Sequence, residues 1–226
     1  MTATVAVAHA APELLDGLDL SLVPESEHAR FAKRRREDDR LSFLAAWAVA
    51  SRMVADRMET DVDQLRVVRT CIHCSSEEHG KPQFVDSGLD LSLSHTRGGV
   101  AVALGTGCEV GVDIERVPAE PWPPEMVRVV VGDDEPIPFP GQEVRVWTAK
   151  ESVVKCLAVG LMAPVKDLAI AFRPEGPVVV RWDTRPDVVD DLVLRELDVP
   201  EDFSATLAVR VAGGADSLDL DYESLT

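Results

Sequence analysis

Gly111-Val112-Asp113-Ile114-Glu115 is the stretch on which the fold turns. Val110, Val112 and Ile114 fall to one side and Gly111, Asp113 and Glu115 to the other, the period of a strand with one face on a core. Two carboxylates on one strand face repel unless a cation sits between them. Downstream, Trp147-Thr148-Ala149-Lys150-Glu151-Ser152-Val153-Val154-Lys155 reads as a helix running from Thr148 towards Gly160, where a glycine suits a helix C-terminus. Glu151 and Lys155 are one turn apart and share a face. A strand with paired carboxylates and a Glu/Lys helix together point to magnesium holding a diphosphate. Mg²⁺ takes a few carboxylates plus phosphate oxygens and water, and lysine serves phosphate as a point charge.

Outward from this pair, the texture is mixed α and β. Leu41 to Arg57 is the clearest helix, with one apolar stripe at Leu41, Leu44 and Ala48 and another at Phe43, Trp47, Ala50 and Val54. A helix apolar on two sides is expected between layers. Gly80-Lys81-Pro82 reads as a turn entering an extended segment. Gly99 to Leu104 alternates large and small apolar residues and reads as a strand. Met126 to Val131 suggests a short helix, and 132–142 an acidic, proline-containing loop. Strands are expected at Leu168–Phe172, Val178–Trp182, Leu192–Leu197 and Thr206–Val211. A faint echo links Gly98–Gly105 with Ala205–Ala212, too short to establish a repeat. Asp216 to Thr226 is acidic and reads as a frayed tail.

With 226 residues, 46% of them hydrophobic, the chain can bury a real core. Its first residues lack a basic segment, and no stretch is apolar for the length of a membrane span. The expectation is a cytoplasmic monomer. A net charge of −17 argues against nucleic-acid binding. Against that background Arg30, Lys33, Arg34, Arg35, Arg36 and Arg40 concentrate six of the 23 basic residues in one run. Such a run reads either as a solvated helix start or as a phosphate-facing patch. Cys71-Ile72-His73-Cys74, with His79 beyond, raises zinc, although a second Cys-x-x-Cys is absent and using both histidines would be sterically demanding; reduced thiols in a turn are the alternative. Cys108 and Cys156 read as small buried hydrophobes.

The two central motifs also carry a family resemblance. Gly-Val-Asp-Ile-Glu at 111–115 and Trp-x-x-Lys-Glu-Ser-x-x-Lys at 147–155, preceded in order by Gly80-Lys81-Pro82 and Leu91-Ser92-Leu93-Ser94-His95, resemble an Sfp-type 4′-phosphopantetheinyl transferase. The resemblance implies an α/β (α+β) fold of two similar halves in pseudo-twofold arrangement, 1–105 and 106–226, with the active site at their interface. It implies a holo-[acyl-carrier-protein] synthase type of enzyme, placed in secondary metabolism. The reaction moves the 4′-phosphopantetheine arm of coenzyme A to a serine of an apo acyl or peptidyl carrier protein. Adenosine 3′,5′-bisphosphate is the other product.

Residue by residue, the resemblance gives Asp113, Glu115 and Glu151 to Mg²⁺, with Glu151 also the candidate base, and Lys155 to the diphosphate and the departing oxygen. Coenzyme A contacts fall to Arg34, Arg40 or Ser42, Lys81, Pro82, Ser94, His95, Lys150 and Lys155, with His95 towards the 3′-phosphate. Some relatives use lysines where this chain has Ser26 and Ala29, and an aromatic-rich helix where it has Val129 to Asp134. Singly, each residue has a plainer reading: a polar strand edge, a surface ion pair, an ordinary turn, a satisfied histidine. Trp147 reads as a packing anchor rather than a ligand. Two other classes compete, a Mg²⁺-dependent diphosphate hydrolase and a non-catalytic binding module. The three retained carboxylates argue against the latter.

Overall fold

The strand predicted around Asp113 is the edge of one of two larger sheets. A computed structural model of the protein describes residues 3–10, 18, 20–137, 141–160, 164–211 and 218–225. Along the chain lie β1 (Ala3–Ala10), α1 (His28–Ala32), α2 (Glu37–Met58), β2 (Val67–Arg69), β3 (Pro82–Phe84), β4 (Leu89–Thr96) and β5 (Gly99–Thr106). They are followed by β6 (Glu109–Arg116), α3 (Pro124–Val130), α4 (Glu143–Cys156), β7 (Leu168–Arg173), β8 (Gly176–Trp182), β9 (Leu192–Glu196), β10 (Phe203–Arg210) and β11 (Leu218–Leu225). The mixed α and β class holds. None of the described helices is long and apolar enough to cross a membrane.

One sheet runs β11-β1-β5-β4 and another β6-β10-β9, with two short hairpins, β2-β3 and β7-β8. In the first, β5 pairs antiparallel with both β1 and β4; in the second, β10 pairs antiparallel with both β6 and β9. A strand, a long helix, a hairpin and two more strands thus occur in the same order twice. The two segments that echo each other in sequence are the central strands, β5 and β10.

The large-small alternation of β5 has a packing reason. Val100, Val102 and Leu104 point to α2 and join Phe43, Trp47, Ala50 and Val54 in one core. Ala101 and Ala103 face the other way and join Val110, Val112, Ile114, Leu207 and Val209. Small residues on that side let the two sheets meet. As its two apolar stripes require, α2 is buried without a break from Ser42 to Ser51. A third core gathers Ala149, Val153 and Val154 of α4 with Leu168, Ile170, Trp182 and Leu194.

Two expectations fail here. The segment read as a frayed tail forms β11, parallel to β1, with Ala3 opposite Leu218 and Ala10 opposite Leu225. Its alternation of leucine and aspartate, Leu218-Asp219-Leu220-Asp221, is a half-buried strand pattern, and Leu218 and Leu220 pack on the inter-sheet core. Helix α4 starts at Glu143, a turn earlier than expected, and ends at Cys156. The left-handed residue of its terminus is Ala158 (φ 56°), with Val159 N–H on Val154 O and Ala158 N–H on Lys155 O. These two bonds are a Schellman ending in which alanine takes the place usually held by glycine.

Candidate active site

Helix α4 lies against β6 because Gly111 lets it. A Cβ on Gly111 would stand 1.9 Å from Ser152 O and 2.3 Å from Cys156 N, so only glycine admits the helix backbone at this depth. The same strand face carries Asp113 and Glu115, which are thereby brought against Glu151 and Lys155. Between β4 and β6 side chains replace a backbone ladder. Asp90 Oδ2 accepts Val110 N–H (2.7 Å), Ser92 Oγ accepts Val112 N–H (3.0 Å) and Ser94 Oγ donates to Asp113 Oδ1 (2.8 Å). Three residues at a spacing of two on one strand thus fix the carboxylate strand in place.

Asp113 is buried at 2% exposure, and its Oδ1 also receives the Lys155 ammonium at 2.5 Å. Lys155 donates further to Ser94 Oγ at 2.9 Å. An ammonium has three donors, so one remains for a ligand. Burial pushes the Glu151 carboxyl up to about 7, and the neighbouring Asp113 charge adds to this against the opposing pull of Lys155. Burial and Asp113 also raise Glu115, whose hydrogen-bonding neighbours are the Trp147 and Thr96 side chains. Trp147 therefore does more than pack against Trp122: its side chain offsets part of the rise at Glu115.

Asp113 Oδ2 and Glu151 Oε1 are buried with no hydrogen-bond partner. Two orphaned carboxylate oxygens, with a third acid beside them, are a donor set suited to a hard divalent cation. The three side chains do not converge as they stand. Among the described residues, the one group of three His, Cys, Asp or Glu side chains with ligand atoms within 4.8 Å of each other is Cys71, Cys74 and His79. At the carboxylates, Lys155 supplies the local positive charge.

Beside this cluster opens a cavity of about 370 Å³ between α2 and α4, lined by residues from both repeats of the element order. Arg34, His95, Pro82, Glu151 and Lys155 all line it. The Arg34 guanidinium lies over the Phe43 ring at 4.5 Å, its Nε buried without a partner, and it has no ion pair among the described residues. Burial lowers its affinity for the proton. His95 stands edge-on to Phe43 and is held to about 4 by burial, then by Arg34 and Lys155. A dry wall with excess positive charge is a place for an anion.

Four expected contacts fall elsewhere, the first being Ser94, which is engaged with Asp113 and Lys155 and does not line the cavity. Lys150 is fully buried and turned away, donating to Val130 O (2.7 Å) and Glu135 Oε2 (2.5 Å). It precedes Lys155 by five residues, about 140° around a helix, so the two cannot face one cavity. Arg40 stacks on Phe31 at 4.5 Å and does not line the cavity. Lys81 borders the cavity, but its ammonium is on Asp90, Val110 O (2.7 Å) and Cys156 O (3.2 Å), which uses all three donors. It clamps β6 and α4 to the loop before β3.

Sequence reading missed Arg30, Arg69, Phe43 and Trp47 as cavity residues. Arg69 is aimed by a two-pronged pair with buried Glu27 (2.8 and 3.0 Å), a long-range contact with no local sequence signal. It missed Glu135 as well, whose carboxylate accepts Gly132 N–H (2.9 Å), Ile170 N–H (2.7 Å) and the Lys150 ammonium.

Comparison of the whole chain with curated proteins gives no match. Residues 109–208, from β6 through α4 to β10, match the sequence model of the 4′-phosphopantetheinyl transferase superfamily, so the stretch holding Asp113, Glu115, Glu151 and Lys155 is the stretch that carries the likeness.

Proposed function

We propose that the protein is a Sfp-type enzyme that transfers the 4′-phosphopantetheine arm of coenzyme A to a serine of an apo acyl or peptidyl carrier protein. The observation that carries this reading is the cavity itself. Its lining brings Arg34 and His95 together with Glu151 and with Lys155, which is paired to Asp113. Coenzyme A has a 3′-phosphate and a diphosphate for such a set of cations. The superfamily match over 109–208 agrees with it. The repeated order of elements supports two halves, 1–105 and 106–226, in pseudo-twofold relation around the site.

In this reading the spare donor of Lys155 takes a diphosphate oxygen, and Arg34 with the neutral His95 N–H takes the 3′-phosphate. Glu151, held near neutrality, accepts the proton of the carrier serine as its oxygen attacks phosphorus. The new serine O–P bond forms as the P–O bond to the departing adenosine 3′,5′-bisphosphate breaks, and Lys155 stabilises the charge that leaves. Asp113, Glu115 and Glu151 are the residues that would hold Mg²⁺, with Asp113 Oδ2 and Glu151 Oε1 the free oxygens. When bound, that ion neutralises diphosphate charge and lets the three carboxylates stay ionised together.

The test is incubation with coenzyme A, Mg²⁺ and several apo carriers, read by intact mass. The expected result is a phosphopantetheine adduct on carrier serine, abolished by chelator and by Asp113→Ala in a protein that remains folded. Cleavage of coenzyme A without any adduct would instead make the site a diphosphate hydrolase.

A further inference from the structure

Cys71, Cys74 and His79 form a second cluster outside the cavity, and the proposed reaction uses none of them. Their ligand atoms lie within 4.8 Å of one another. The geometry between them is that of a metal knuckle. Cys71 opens a tight turn in which Ser75 N–H bonds to Cys71 O at 2.9 Å and Cys71 N–H to Ser76 O at 2.9 Å. Ser75 takes the left-handed conformation (φ 57°) that such a turn demands.

The distances also fit. Cys74 Sγ and His79 Nε2 are 3.6 Å apart. A tetrahedral zinc with bonds of ordinary length to sulfur and imidazole sets those two atoms about 3.6 Å apart. His73, the other histidine in the motif, is committed elsewhere: its Nε2 meets Val159 O at 2.9 Å. That leaves His79 as the third ligand, and it resolves the steric conflict of using both histidines.

We infer that Cys71, Cys74 and His79 bind one zinc ion, with solvent at the fourth position. Two thiolates balance the charge of Zn²⁺, and two thiol protons are released on binding. The three ligands bracket the loop that leads straight into Gly80, Lys81 and Pro82 of the cavity wall. Gly80 O accepts Arg69 at 2.7 Å and Glu78 O accepts Arg30 at 2.9 Å, so the same loop aims two cavity arginines. The ion would close this loop and hold the wall, its open fourth position setting it apart from structural sites closed by four protein ligands. It is separate from the magnesium assigned to the carboxylates, because soft thiolates and hard carboxylates choose different metals.

The experiment is metal analysis of protein purified without a histidine tag, under reductant, after loading with zinc and removal of excess. About one zinc per chain is expected. It should be lost in Cys74→Ser and in His79→Ala and kept in Cys108→Ser and in Asp113→Ala. Titration of the wild-type protein with cobalt should give a thiolate-to-metal charge-transfer band, which needs no variant to fold. Absence of retained zinc together with absence of that band overturns the site. Zinc retained in full by folded Cys74→Ser and His79→Ala also overturns it, and places the metal elsewhere. None of these readings depends on transfer activity.

Discussion

At the residue scale, His95 and Glu151 sit in one cavity with opposite protonation preferences. His95 has an ordinary value of 6.5 and is held to about 4, so between those values the native state binds fewer protons than the unfolded chain. Stability therefore falls as pH drops from 6.5 to 4 on its account. Glu151 goes from 4.5 to about 7, so the native state holds an extra proton, and stability falls as pH rises through that window. Melting temperatures of the metal-free protein across this range should separate the two. The two windows overlap and their slopes oppose, so His95→Gln should leave stability falling as pH rises from 4.5 to about 7, and Glu151→Gln should leave it rising from about 4 to 6.5. Curves parallel to wild type would mean that neither group is shifted by the fold. These residues were legible because each lies in a motif whose spacing fixes its face. Arg69 was not, since only tertiary structure brings Glu27 to it.

At the element scale, α4 on β6 is the contact that makes the site, and Gly111 is its narrowest point. Gly111→Ala must push the helix backbone outward, and overpacking of this kind costs about 1–3 kcal/mol or more. The displacement should also separate Glu151 from Asp113, so activity should fall further than stability in denaturant titrations predicts. Retention of both would show that the helix slides freely. On the other side of α4 the Lys150–Glu135 pair ties the helix to the loop after α3 and to β7. Lys150→Met alone strands a buried carboxylate and should cost about 3–5 kcal/mol, while Lys150→Met with Glu135→Leu should recover much of it. A double variant no better than the single would mean that the Gly132 and Ile170 N–H groups, left without Glu135, matter more than the charge. The helix was legible from its periodicity, but Lys150 was misplaced because the motif was read as a unit instead of by angle around the axis. The true helix stop was hidden because the left-handed position that ends the helix is Ala158, two residues before Gly160.

At the scale of the whole molecule, the order of elements was legible in outline because hydrophobic period survives acidity; the large misses were β1, which was not anticipated as a strand, and β11, where acidity was allowed to outweigh period. Charge poses the remaining question. The chain carries −17, so long-range repulsion opposes encounter with any acidic partner. The basic run answers this locally. Arg34 turns into the cavity and Arg40 stacks on Phe31, but Arg35 and Arg36 are exposed in the link between α1 and α2, directly after Arg34. Screening confines their influence to about 8–10 Å at physiological salt, enough to reach a partner seated at the cavity mouth but not to offset the whole molecule. Reversing both charges, Arg35→Glu with Arg36→Glu, should raise KM for the carrier about tenfold or more at low ionic strength, a loss that shrinks as salt is added. Coenzyme A affinity should stay within about twofold, because neither side chain lines the cavity. Equal losses for both substrates would mean that the variant had disturbed Arg34, and an unchanged KM for the carrier would move the docking face away from the α1–α2 link altogether.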